Sequence, residues 1–225
     1  PAVLISEVLA GVDGNNNYDF IELANPGREG PFNLQGWSLW YALSENDEPV
    51  QVYAWKHPAL IPPRGHYLLV FKGQDVGVTA DAVFEVSMIP QRGGLQLRGP
   101  DRPVGDSLAW GNGPADFGEG GFAGAMVSGT ALERMPGGSQ GNWLDTDDNS
   151  NDFAPSAPSP QNTASPGIPA MESGLVLSIE APSSVIPGSM FDYHLAVANQ
   201  GSQAIPGVSL QLPISSAVEV GQTSA

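Results

Sequence analysis

Eight short segments succeed one another between residues 2 and 111: AVLISEVLA, YDFIELAN, GWSLWYAL, VQVYAWK, HYLLVFK, AVFEVSM, GLQLRGP and PVGDSLAWG. Each is rich in β-branched or aromatic residues and closes on Gly, Pro, Asn or Asp, the pattern of strands joined by turns. No segment carries an amphipathic helix pattern with a cap and a stop. A chain of this kind has few options, and an all-β sandwich is expected. In YDFIEL, the period of two places Tyr18, Phe20 and Glu22 on one face and Asp19, Ile21 and Leu23 on the other. The 28 glycines and 21 prolines show no collagen-like period, so they punctuate strands rather than mark low complexity.

Beyond residue 111 the alternation dissolves. GNGPADFGEGGFAGAMVSG (111–129) is a long glycine-rich loop, expected to be functional or to wrap a sheet edge. TALERM (130–135) reads as one more strand. APSAPSPQNTASPGIPAMESG (154–174) holds no core-forming run, and its composition suits an extended, semi-rigid linker. The expected organisation is a β-sandwich over 1–163, a Pro/Ser-rich linker over 164–173 and a partial second β domain over 174–225. Within 175–213 lie three strand-like runs and two turns, about half of a seven-stranded immunoglobulin-like domain, so either that domain is truncated here or its strands pair with something else. A start at Pro1 without an initiator methionine and an end at VGQTSA suggest a piece of a longer protein, with any signal or anchor outside it.

Composition limits the partners. Aspartate and glutamate number 24 against 8 lysines and arginines, giving a formal charge of −16. Such a surface repels phosphate backbones and anionic lipid, so no nucleic-acid partner is expected. It suits a divalent cation or a basic partner instead. With no cysteine, disulfides, thiolate zinc sites and cysteine nucleophiles are excluded. No apolar run is long enough for a membrane span, so no direct insertion into a membrane is expected.

Eight stretches in order carry a family resemblance: LISEV (4–8), DFIELAN (19–25), LQGWSL (34–39), IPPRGHYLLV (61–70), GGLQLRGPDRPVGDSLAWG (93–111), LERMPGG (132–138), DTDDNSNDF (145–153) and APSPQN (157–162). Together they resemble the bacterial form of the lamin tail domain. The resemblance implies an immunoglobulin-like β-sandwich without catalytic activity, and Glu7 and Glu22 match glutamates of the family pattern. PGSMFDYHLAVANQGSQAIPGVSLQLP (187–213) resembles the start of repeat modules on bacterial surface proteins.

Few residues offer chemistry. GGSQG (137–141) has the spacing of a nucleophile elbow around Ser139, but that motif needs a strand before it and a helix after it; Pro136 directly precedes it, and no helix is expected in NWLDTDDN. GEGGFAG (118–124) opens no helix and has no Lys-Ser/Thr, so it is no phosphate cradle. His57, His66 and His194 share no ligand spacing. Glu7 and Glu22 are expected to hydrogen-bond at a sheet rim or pair with Arg134. Trp37 is expected to anchor the core, while Trp40 and Trp55 are packing residues or exposed platforms for stacking sugars or bases.

DTDDNSNDF remains. Asp145, Asp147, Asn149 and Asn151 alternate, with Asp152 following, and alternating oxygens are one way for a short loop to hold calcium. Ser150 stands where an EF-hand needs glycine and Ser156 where it needs glutamate, so an EF-hand is excluded. A different calcium loop and a solvated turn satisfied by its own backbone both stay open. DGNNNYD (13–19) raises the same choice, and a hairpin turn explains it. The functional expectation is a noncatalytic interaction or architectural module of a larger exported or cell-surface bacterial protein, facing a protein or cell-envelope partner. The alternative is an accessory domain that positions a secreted hydrolase or nuclease.

Overall fold

The computed structural model describes residues 3–101, 103–168, 175–180, 182, 184–186, 188–192 and 194–199. The chain divides into two compact units, Pro1–Ala170 and Met171–Ala225. In the first, the strands are β1 (Leu4–Leu9), β2 (Phe20–Ala24), β3 (Phe32–Asn33), β4 (Ser38–Ala42), β5 (Val50–Ala54), β6 (Leu60–Ile61), β7 (His66–Phe71), β8 (Ala82–Phe84), β9 (Arg92–Arg98), β10 (Val104–Gly111), β11 (Ala131–Arg134) and β12 (Phe153–Ser156). They build a six-stranded sheet in the order β12-β11-β1-β2-β7-β8 and a four-stranded sheet in the order β10-β9-β4-β5, with β3 and β6 pairing apart. Among the described strands, only the β7–β8 pair is parallel. The protein is the all-β sandwich expected from its alternating segments, and all nine expected strands of this unit are present among its twelve.

The two sheets meet through Ile5, Ile21, Leu23 and Leu69 on one side and Leu39, Tyr41, Leu95, Leu97 and Leu108 on the other. Trp110 is fully buried between them, its ring stacked on Tyr41 at 6.1 Å. Gly93 makes this possible, since a Cβ there would stand 2.6 Å from Trp110 and 2.7 Å from Tyr41. The tryptophan expected to anchor the core was Trp37. It instead lies half-buried, edge-on to Phe32 at 5.3 Å, because the turn before β4 sets it at the sheet margin. Trp55 is buried within the core, which leaves Trp40 as the one of that pair open to solvent.

The large sheet is covered on both faces. In β2, Ile21 and Leu23 face the inter-sheet core, whereas Phe20 joins Leu9, Leu68, Val70 and Ala131 on the outer side, beneath Val76, Val78 and Ala80. Residues 157–168 form a strap over part of that outer side. The amides of Ser159 and Gln161 donate to Glu7 (2.9 Å) and Glu22 (2.6 Å), and Thr163 N–H donates to Asp81 (3.0 Å). Ile168 is buried and its N–H donates to the carbonyl of Arg64 (3.0 Å). The docked strap runs on to Ile168, within the stretch 164–173 whose composition reads as a linker. A linker-like composition does not prevent docking when each free backbone amide finds a carboxylate.

The glycine-rich loop is a wrapping. Its 3-10 turn at Ala115–Phe117 lies against β9 and β10, where Asp116 O accepts from Gln96 Nε2 (2.9 Å) and Ala123 bridges to Trp110. In the second unit, β13 (Leu175–Glu180) and β14 (His194–Asn199) form an antiparallel pair with Leu177, Ile179 and Val197 exposed. The third strand-like run expected there, around 207–213, lies outside the described residues.

Candidate functional site

The aspartate stretch folds around a residue outside its alternation. Asp148 caps a single helical turn, α1 (Asn149–Asp152), accepting from Ser150 N–H (3.0 Å), Ser150 Oγ (2.7 Å) and Gly121 N–H (2.9 Å). The signal for this was an aspartate two residues before a serine at a helix start. The alternating reading required an extended loop, and the turn of helix rotates the side chains apart. Asn149 is buried, its Oδ1 accepting from Ala109 N–H (2.9 Å) and Glu119 N–H (3.1 Å) while Nδ2 donates to Ser107 O (3.0 Å). Asp152 is buried and accepts from Thr146 N–H (3.0 Å) and Oγ1 (2.7 Å). Asp147 is exposed with φ at +54°, and Asn151 is exposed with its amide donating to Asp148 (2.8 Å). Of the five residues singled out for calcium, the structure brings only Asp145 and Asp152 to a common centre.

That centre is Arg134. Its side chain is fully buried, with Nη2 contacting both oxygens of Asp106 at 2.9 Å, Nε donating to Ile5 O (2.8 Å) and Nη1 to Leu144 O (2.9 Å). The guanidinium lies 4.5 Å from the Phe153 ring centre, and Asp145 and Asp152 stand 3.6 and 3.7 Å from Nη1. Asp106, Glu119 and Asp145 each place one oxygen within 4.8 Å of the others. Sequence reasoning missed Asp106 and Glu119, which come from β10 and the glycine-rich segment. The donor set is that of a hard cation, but a cation is already there: Arg134 faces Asp106, Asp145 and Asp152 at once. Calcium takes six to eight oxygens, and Asp106 has both of its oxygens on the guanidinium. Burial pushes the Asp106 carboxyl up to about 7 against the pull of Arg134 and of the Ile5 N–H.

Arg134 does not pair with Glu7 or Glu22, one of the two arrangements expected for them. Alternation in β11 sends Glu133 to the outer face and Arg134 inward. Glu133 sits beside Glu7, and Glu7 beside Glu22, so three carboxylates form a row across β11, β1 and β2. Burial raises Glu7 to about 7 and Glu22 well above its ordinary value. Ser6 Oγ donates to Glu22 (2.7 Å), Gly138 N–H and Asn142 Nδ2 to Glu133 (2.6 and 3.3 Å), and the strap's Ser159 and Gln161 to Glu7 and Glu22. His66, beside Glu22 at 3.7 Å and Asn142 at 3.2 Å, is lowered to about 4 by burial. The row lies under the strap rather than in a cleft. Ser139 sits in an exposed 3-10 turn, Gly138–Gln140, followed by no helix, so the elbow reading fails as expected.

An open concave surface lies on the other sheet. The glycine-rich wrapping covers the outer side of β9 and β10 and leaves Ser38, Trp40 and Gln51 of β4 and β5 partly exposed. There Trp40, Trp37, Gln35, Gln51, Lys56 and Asp101 frame a groove of about 420 Å³. Trp40 is half-buried; its Nε1 donates to Ser38 Oγ (3.0 Å), and the Arg98 guanidinium stacks 5.0 Å from its ring centre. Trp40 faces out because Leu39 and Tyr41 of the same strand face in. No known protein family matches this chain, and no curated protein matches it.

Proposed function

We propose that the chain is a noncatalytic interaction module of a larger exported or cell-surface protein, related to the bacterial lamin tail domains. The observation that carries this reading is the outer side of β4 and β5, where a half-buried tryptophan with a fixed ring stands in an open groove. Aromatic platforms ringed by polar groups are the usual composition of a contact surface. Asp106, Glu7 and Glu22 support the same reading, because their oxygens are taken up by Arg134, by strap donors and by the Ser6 hydroxyl rather than presented to a cleft. The charge of −16 favours a partner other than nucleic acid.

The experiment has two arms. The 225-residue chain is tested for sedimentation with purified bacterial cell-envelope fragments, alongside Trp40→Ala, and for turnover of glycoside, ester and phosphodiester substrates. Envelope binding that Trp40→Ala abolishes is expected, with no turnover. Turnover that disappears in Glu22→Gln or Asp106→Asn overturns the reading.

A further inference from the structure

We infer that the groove over β4 and β5 binds a neutral carbohydrate chain; this rests on the interaction-module reading and names its ligand. A pyranose ring shows an apolar C–H face and a rim of hydroxyls. An indole face attracts the first, because the slightly positive C–H bonds meet the electron-rich ring. Trp40 offers such a ring on the solvent side of a strand. Its orientation is set in advance by the Ser38 hydroxyl and the stacked Arg98 guanidinium, so little side-chain freedom is lost on binding. Trp37 supplies a second indole at the groove margin, held edge-on by Phe32.

The rim of the groove matches hydroxyls. Gln35 and Gln51 each offer an amide donor and a carbonyl acceptor, Asp101 an acceptor and Lys56 a donor, all on exposed side chains around the indoles. A hydroxyl both donates and accepts, so mixed groups of this kind satisfy it better than a rim of one polarity. Of the charges at the groove, Lys56 and Asp101 cancel and the Arg98 guanidinium is spread against the Trp40 ring. Nucleobases also stack on indoles, but single-stranded nucleic acid needs a basic track along its phosphates, and the chain carries −16. A proline-rich peptide also packs on indoles, yet it has few groups to meet four hydrogen-bonding side chains. The volume lies at the lower end of small-ligand sites, roughly 300–1,000 Å³, and the open groove lets a chain run out at both ends.

The test titrates the 225-residue chain with cellohexaose, chitohexaose, mannohexaose and xylohexaose, reading tryptophan fluorescence and heat of binding. Oligothymidylate and a polyproline peptide are run in parallel. At least one hexasaccharide is expected to saturate. Trp40→Ala and Gln51→Ala should each weaken it roughly tenfold or more, the scale of losing one stacked ring or one well-made contact, while Trp143→Phe, outside the groove, should not. Gln51 is exposed, so its variant keeps the test decisive even if Trp40→Ala fails to fold. No saturation by any hexasaccharide up to about 10 mM, weaker than any useful site, overturns the inference. Binding indifferent to both variants overturns it too, as does saturation by the peptide or oligothymidylate alone. Envelope binding lost in Trp40→Ala without hexasaccharide binding would overturn the carbohydrate assignment and leave the interaction module standing; turnover would overturn the module itself.

Discussion

Arg134→Met should be among the most damaging single substitutions in the sandwich. The wild-type guanidinium holds both oxygens of Asp106, the carbonyls of Ile5 and Leu144, and the face of Phe153. Methionine fills much of the volume but meets none of the polar groups. Removing one partner of a buried ion pair costs about 3–5 kcal/mol, and the loss of a donor at the buried Ile5 carbonyl and the part-buried Leu144 carbonyl adds ~1 kcal/mol. A loss of about 4–6 kcal/mol is expected, against a total stability of roughly 5–15 kcal/mol. The loss should depend on pH. Burial already pushes Asp106 up to about 7 with Arg134 present, and without the guanidinium its pKa rises further. Its folded state then binds more protons than its unfolded state, so stability falls as pH rises through that raised value. Urea unfolding at pH 5 and pH 8 measures both effects. A loss under about 1 kcal/mol at pH 8, within the range of an ordinary surface change, would refute the argument, as would equal losses at the two pH values. Arg134→Met with Asp106→Leu should be more stable than Arg134→Met alone, because the second change removes the stranded charge.

Glu7, Asp19 and Glu22 are all raised by burial, Glu7 to about 7 and Asp19 to about 6, so their stabilising contribution is complete at low pH and lost as pH rises through those values. His66, lowered to about 4, acts oppositely, its contribution being lost as pH falls through 4. Thermal melts should therefore show Tm falling from pH 5 to pH 8, and a rising Tm over that range would contradict the burial of these groups. A chain ended at residue 157 should melt below one ended at residue 170, because Glu7, Glu22 and Asp81 lose their strap donors; equal melts would mean that the strap contributes nothing. Since Arg134 already stands among Asp106, Asp145 and Asp152, millimolar calcium should leave Tm nearly unchanged. An upward shift of the kind expected for a ligand of the folded state, abolished by Asp145→Ala, would show instead that a cation joins the cluster.

The strands were legible because each local pattern agreed with the final sheet. Ile21 and Leu23 face one side of β2 and Phe20 the other, as the period of two requires. What sequence could not show was which distant segments meet. Asp106 and Arg134 are 28 residues apart and bind through a fork whose partner no spacing rule names. The alternation in the aspartate stretch left a calcium loop and a solvated turn both open, and it did not show that Asp148 caps a helical turn that parts Asp147 and Asn151 from Asp145 and Asp152. Trp37 follows a turn glycine and Trp110 follows Leu108 and Ala109 near the end of a strand, and only the sheet order decides which ring lies between the layers. The strap was hidden by its composition, because prolines and serines say nothing of amides that meet buried carboxylates.

That strap also fixes how the sandwich would respond to a pull on the chain from beyond residue 168. The load does not reach a strand first. It meets Ile168 on Arg64, then Thr163 on Asp81, Gln161 on Glu22 and Ser159 on Glu7, one attachment after another. Contacts loaded in series open singly, like a peeled seam, each at a force far below that needed to shear a paired strand. Residues 157–168 would then pay out roughly 40 Å of extended chain while both sheets stayed closed. Such a segment is a built-in slack line: it lengthens under tension, and it closes again when Glu7 and Glu22 recapture its amides.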